Sequence, residues 1–181
     1  MEGLAEGAVA DAEALRPEEL VDRYQRRIYA VIYRMTGRHS EADDLCQETF
    51  LQIFRSWSSF RPGTNLDAWV YRIAMNISVD YIRRRRKDRA IEENLRESGP
   101  VREDSAGIDS ETGLAVRKAV DALPAQQKAV VVLRMFEGLS HEKISEIVEA
   151  PVATVRWRLF TALEKLESEL GRRVGPGGDA S

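Results

Sequence analysis

Five consecutive cations, Arg83 to Lys87, stand two helical turns beyond Asn76 and close in sequence to Phe60, Trp69 and Tyr71. Cations at that density suit phosphate oxygens, rings suit unstacked bases, and an Asn amide both donates to and accepts from a base edge. The chemistry in prospect is recognition of a nucleic-acid strand, with no bond made or broken. Two plainer readings stay open for the same residues. The rings could belong to an apolar core, and the cations could be a solvated helix end that complements the macrodipole.

These groups need a loop and a helix to position them. Pro62 and Gly63 stop the preceding segment, and Thr64 with Asp67 three residues on has the capping-box spacing, which predicts a helix from near Leu66. Val70, Ile73, Ala74, Ile77 and Tyr81 recur at three- and four-residue intervals and define its buried face. Arg72, Asn76, Asp80 and Arg83 define the wet one.

The rest of the chain offers no reactive constellation. The single cysteine, Cys46, excludes an internal disulfide framework, and His39 and His141 lie far from it and from each other. No metal site, nucleophile triad or cofactor motif is expected, and Cys46 falls in an apolar stripe where it reads as a small hydrophobe. With 43% apolar and 31% charged residues the chain has the balance of a soluble globular protein. It carries no long apolar run and its acidic start lacks a signal-peptide pattern, so a cytoplasmic protein without membrane insertion is expected. The net charge of −3 argues against tight unaided grip on duplex DNA. Its distribution is uneven: a basic island at 61–87 lies between the acidic stretches 1–20 and 88–113.

Helical periodicity runs through almost everything else. Residues 1–15 read as a mobile acidic tail. A helix from Pro17 places Leu20, Tyr24, Ile28, Val31, Ile32 and Met35 on one face, with Gly37 as its stop. Ser40 is the expected cap of the next helix, which runs to about Trp57 and buries Ala42, Leu45, Cys46, Thr49, Phe50, Ile53, Phe54 and Trp57. Its other face presents Asp43, Asp44, Gln47, Glu48 and Leu51, an acidic and amide stripe that is either solvated or an interface. After Lys87 the sequence turns polar and acidic and reads as a linker to residue 113. Helices follow from Leu114 to Leu123, then from Pro124 with Val130, Val131, Leu133 and Phe136 as its apolar set, then from a Ser140 cap with Ile144, Ile147 and Val148. Glu149 to Pro151 breaks the pattern. A last helix from near Thr154 keeps Val155, Leu159, Leu163, Leu166 and Leu170 in register until Gly171, and residues 172–181 read as a second tail. A short helix, a three-residue break and a longer helix make a candidate helix-turn-helix, with a merely packed hairpin as the alternative.

Two blocks carry a resemblance to a known family. EADDLCQETFLQIFRSWSSFR followed by AWVYRIAMNISVDYIRRRR resembles region 2 of bacterial sigma factors of the extracytoplasmic-function (ECF) group in the sigma-70 family. LPAQQKAVVVLRMFEGLSHEKISEIVEAPVATVRWRLFTALEKL resembles region 4 of the same group. The resemblance implies an all-α protein of two small helical domains, a region 2 bundle over 16–87 and a region 4 helix-turn-helix over 114–171, joined by the flexible acidic linker 88–113. It implies core RNA polymerase and promoter DNA as partners, a cognate anti-sigma factor, and no catalysis of its own. Residue by residue, it assigns Asp44, Leu45, Gln47 and Glu48, with the neighbouring Leu51, to core-polymerase binding. Arg61, Thr64, Asn65, Leu66, Arg72, Asn76, Asp80, Arg83 and Arg84 fall to the −10 element, and Thr154, Arg156, Trp157, Arg158, Phe160 and Thr161 to the −35 element. Departures are Glu149 and Ala153, where the family usually has turn glycines, and Trp157, where a small residue is common. Alternatives from other classes are a stand-alone helix-turn-helix regulator, which the net charge and the extra acidic helix count against, and a sigma mimic that captures an anti-sigma factor. As a flexible chain the 26 linker positions span roughly 30 Å, so the free protein is expected to be compact or variable, with its halves held apart only on polymerase.

Overall fold

The computed structural model describes residues 17–61, 63–95 and 111–173. These form α1 (Pro17–Thr36), α2 (His39–Ser56), a single 3₁₀ turn at Trp57–Ser59, α3 (Leu66–Leu95), α4 (Glu111–Ala122), α5 (Ala125–Met135), α6 (His141–Val148) and α7 (Val152–Arg173). No strand occurs among the described residues. The expected tail 1–15, residues 174–181 of the other tail and the middle of the expected linker, 96–110, lie outside them, whereas Arg172 and Arg173, expected in the tail, continue α7.

Helices α1, α2 and α3 pack as a bundle. The whole α1 stripe from Leu20 to Met35 is buried, and Ala42, Leu45, Cys46, Thr49, Phe50 and Ile53 of α2 face it. At about 1.5–3 kcal/mol per large apolar side chain, this stripe is the main term holding the bundle. Tyr24 closes the seam by donating its hydroxyl to Asp67 at the start of α3. Burial, then that hydrogen bond, push the Tyr24 phenol well above its ordinary range. Gly37 ends α1 at φ +78°, and an added Cβ would lie 3.2 Å from the Arg117 guanidinium, so both conformation and space favour glycine there.

Several local expectations are corrected. Arg38, not Ser40, sits at the N-cap of α2, and no side chain caps that end. Asn65, not Thr64, caps α3: its Oδ1 accepts from the Ala68 N–H at 3.1 Å, while the Thr64 hydroxyl turns back to the Arg61 carbonyl. Helix α3 continues beyond Lys87 to Leu95, and α4 opens at Glu111 rather than Leu114. Pro151 caps α7, which begins at Val152 and passes through Gly171 because a glycine inside a helix weakens it without ending it. Phe54, Phe136 and Leu163, expected inside, are exposed. Phe136 instead lies beneath the Arg34 guanidinium, 4.8 Å from the ring centroid.

The helix-turn-helix forms as expected. Ser140 Oγ accepts from the Lys143 N–H, Ile144 and Ile147 are buried, and the break falls at Glu149 to Pro151. Glu149 is left-handed (φ 49°, ψ 46°), which gives a physical reason for the glycine common at that place. The two halves lie against each other, α3 along α5 and α6 and α1 along α5, and a single apolar cluster runs from Leu20 to Val155 through both.

Candidate nucleic-acid interface

Three surfaces gather most of the candidate residues. On α2, Asp43, Asp44, Gln47, Glu48 and Leu51 are all exposed, Leu51 at 52%. Leu45 is not among them. It is 4% exposed because the three-residue step from Ala42 turns it into the bundle, so it supports the stripe from beneath and meets no partner directly.

The second surface is the loop before α3 and the outward row of α3. Arg61, Thr64, Asn76, Asp80, Arg83 and Arg84 are exposed, and Asp80 pairs loosely with Arg83 at 3.8 Å. Leu66 is buried, which removes it from any contact with a base, and Asn65 is occupied as the cap. Trp57, Phe60 and Trp69 pack on one another beneath the loop, with centroids 5.2 to 6.0 Å apart. They are half-buried, with Trp57 stacked on Phe60 and edge-on to Trp69, and so tie together the two segments that flank the loop. Tyr71 settles on the core reading: it is buried, and its hydroxyl donates to Glu137 at 2.7 Å. Burial and then that hydrogen bond raise its pKa far above the ordinary value of 10.0.

Arg72 departs most from expectation. Instead of standing free on the wet row it reaches the C-terminal end of α6, donating to the Glu146 carbonyl at 2.8 Å and pairing with the Glu149 carboxylate at 3.2 Å. A cation at a helix C-terminus is favoured by the macrodipole. Glu137, missed by sequence reasoning, is the second fastener: besides Tyr71 it takes the Arg34 guanidinium at 3.5 Å. An acid between an exposed Phe and a turn glycine carried no local signal for that role.

The third surface is the start of α7. Trp157 and Phe160 are 61% and 60% exposed, and Arg156 is exposed with only a 3.8 Å pair to Glu142. Thr154 and Arg158 are half-buried. Thr161 is withdrawn, its hydroxyl accepting from Gln127 Nε2 at 2.9 Å and donating to the Trp157 carbonyl. Expected to face the −35 element, it instead helps to hold α7 on α5. Among the described residues no cluster of His, Cys, Asp and Glu could hold a metal ion, and no helix is long and apolar enough to cross a membrane.

A helix with an exposed acidic face, a loop beside a cluster of aromatic rings and a helix-turn-helix thus share one chain. Residues 20–88 match the family model described as Sigma-70 region 2, and residues 113–166 match Sigma-70, region 4. The chain belongs to the sigma-70 family. Among its relatives, the ECF RNA polymerase sigma factor SigE of Mycolicibacterium smegmatis is 35% identical over 160 residues, covering 86% of this chain and 62% of that protein. SigW of Bacillus subtilis, also an ECF RNA polymerase sigma factor, is 30% identical over 164 residues, covering 84% of this chain and 87% of that protein. The fold is similar to that of the sigma factor RpoE solved in complex with the anti-sigma factor NepR from Bartonella quintana, with a TM-score of 0.64 at 23% identity over 88% of this chain and 98% of that one. Within the sigma-70 family the chain thus sits with the ECF group.

Proposed function

We propose that this protein is an alternative sigma factor whose α2 face docks on core RNA polymerase, whose loop before α3 and Asn76 face take the −10 element as single strand, and whose α7 start reads the −35 element. The observation that carries the reading is the exposed stripe of α2. Asp44, Gln47 and Glu48 have no ion pair among the described residues, and the 52% exposed Leu51 beside them makes a polar-rimmed apolar spot, the composition of a protein interface. A stand-alone regulator has no use for such a face. The protein does its work in the cytoplasm, with polymerase and DNA, and performs no bond chemistry. Holding a base outside the stack costs a few kcal/mol, which the loop over the ring cluster and matched hydrogen bonds offset. An anti-sigma factor is a further partner, as for the RpoE of the NepR complex. The organisation is a region 2 unit over α1 to α3 and a region 4 unit over α4 to α7.

Run-off transcription with core polymerase on a genomic fragment library tests the whole reading and returns the promoter sequence. Gel shifts with and without core separate the alternatives: a sigma factor shifts promoter fragments only with core, whereas a stand-alone regulator shifts them by itself. Strong sequence-specific shifts in the absence of core, with no transcripts in its presence, would sink the proposal.

A further inference from the structure

Where the end of α1, the C-terminal half of α3 and α4 meet, the closed arrangement leaves a cavity of about 400 Å³ that is partly open to solvent. Its walls are strongly cationic. Arg85, Arg86 and Arg89 come from α3, Arg117 and Lys118 from α4, Lys128 from α5, and Arg38 from the turn after α1. One carboxylate, Asp121, lines it with them. Lys128 is 3% exposed and its Nζ lies 2.5 Å from Asp121 Oδ1. The other oxygen of Asp121 and the Arg117 guanidinium both lie beside Gly37, 3.6 and 3.2 Å from where its Cβ would stand. Among the described residues Arg86 finds only backbone, the carbonyls of Asp121 and Leu123 at 2.9 and 2.5 Å. Arg38 and Arg85 both pair with Glu41, just outside the cavity lining.

Charge of one sign gathered in a concave, partly dry site raises the local potential and draws in counter-ions. Lys128 registers the excess. Burial lowers its pKa, Asp121 opposes that, and Arg86 and Arg117 push it down further. Several guanidinium groups around one cavity match phosphate, whose oxygens take paired N–H donors, and the volume is that of a small-molecule site. We propose that this cavity binds a small phosphate-dense anion, an oligophosphate or the phosphate chain of a nucleotide. Because α3 belongs to one half of the molecule and α4 and α5 to the other, the bound anion ties the halves together and favours the closed arrangement by linkage.

The test uses the full chain, titrated calorimetrically with sodium tripolyphosphate, with GTP, and with sulfate as a simple dianion. The expected result is one site per chain for tripolyphosphate, a rise in the thermal midpoint with it, and little response to sulfate. Arg117→Ala/Lys118→Ala lowers the affinity at least about tenfold, whereas Lys87→Ala, which removes a cation of the same run outside the cavity, lowers it less than about twofold. Lys118→Ala alone, an exposed position, gives an intermediate loss without risk to the fold. Equal affinity for tripolyphosphate and GTP assigns the site to the phosphate chain, and stronger binding of GTP assigns it to a nucleotide. Absence of binding by both at millimolar concentration overturns the proposal. Equal losses in the cavity and Lys87 variants overturn it in favour of diffuse attraction. Cavity variants that keep tripolyphosphate binding but lose affinity for promoter DNA overturn it in favour of a nucleic-acid track.

Discussion

On α2 the outward row of Asp43, Asp44, Gln47, Glu48 and Leu51 makes no ion pair with the rest of the described chain, whereas on α3 the outward row is divided. Asn76 stands in solvent, but Arg72, one turn earlier, is held by the end of α6. The closed arrangement therefore leaves the proposed polymerase face ready and withholds part of the proposed −10 face. It implies an order in which core polymerase is met first and the halves part afterwards. The hold on Arg72 is incomplete: its Nε is buried with no hydrogen-bond partner among the described residues, a penalty that parting relieves.

Reversing the α2 stripe breaks the comparison most severely. Asp44→Lys with Glu48→Lys should reduce core affinity by about 100-fold or more, since like charges facing an interface cost several kcal/mol. Circular dichroism should show unchanged helicity. Undiminished core affinity would return the stripe to a solvated face.

Releasing the fastener comes next. Glu137→Gln weakens charge-assisted bonds from Tyr71 and Arg34, worth about 1.5–3 kcal/mol, and scattering should show a more extended free chain with polymerase affinity kept. Alkali should act on the same contact. The raised pKa of Tyr71 means that its contribution is fully present below about pH 10 and is lost as pH rises through the folded value, with Tyr24 acting alike. Lys128 works in the opposite sense, because its lowered pKa makes stability rise as pH climbs toward its ordinary 10.5. Tyr71→Phe should flatten the alkaline decline in the urea midpoint, and a decline of unaltered slope would show that Tyr71 does not titrate with opening.

Asn76→Ala sharpens the α3 side. It should cost about 1–3 kcal/mol at one promoter position and relax base preference there, on duplex and premelted templates alike. Neutralising Arg84 should instead weaken binding to all sequences and reduce the salt slope by about one. If Asn76→Ala leaves base preference intact, this face is only solvated helix. Glu149→Gly is the smallest change. It relieves a left-handed residue by about 1 kcal/mol and forfeits an exposed pair with Arg72 worth about 0–1 kcal/mol, so the thermal midpoint should move little while Arg72 becomes freer. Weakened promoter binding in Glu149→Gly would contradict the view that this turn withholds Arg72.

The sequence by itself determined the helices and most of their faces, because a 3.6-residue period, a Ser140 cap and turn glycines at 37 and 138 act within a few residues of chain. It also determined the outward stripe of α2 and the three-residue break before α7. Boundaries slipped by a few residues where a cap was shared among neighbours, as at Thr64 and Asn65. Only the tertiary structure decided that Tyr71 is core rather than a base platform, that Leu45 and Leu66 face inward, and that Arg72 belongs to α6 while the halves are closed. Tyr71 meets Glu137 across 66 positions of sequence, and Arg34 meets it across 103. Local periodicity carries no record of such distant contacts, which depend on how two amphipathic bundles bury their remaining apolar faces against each other.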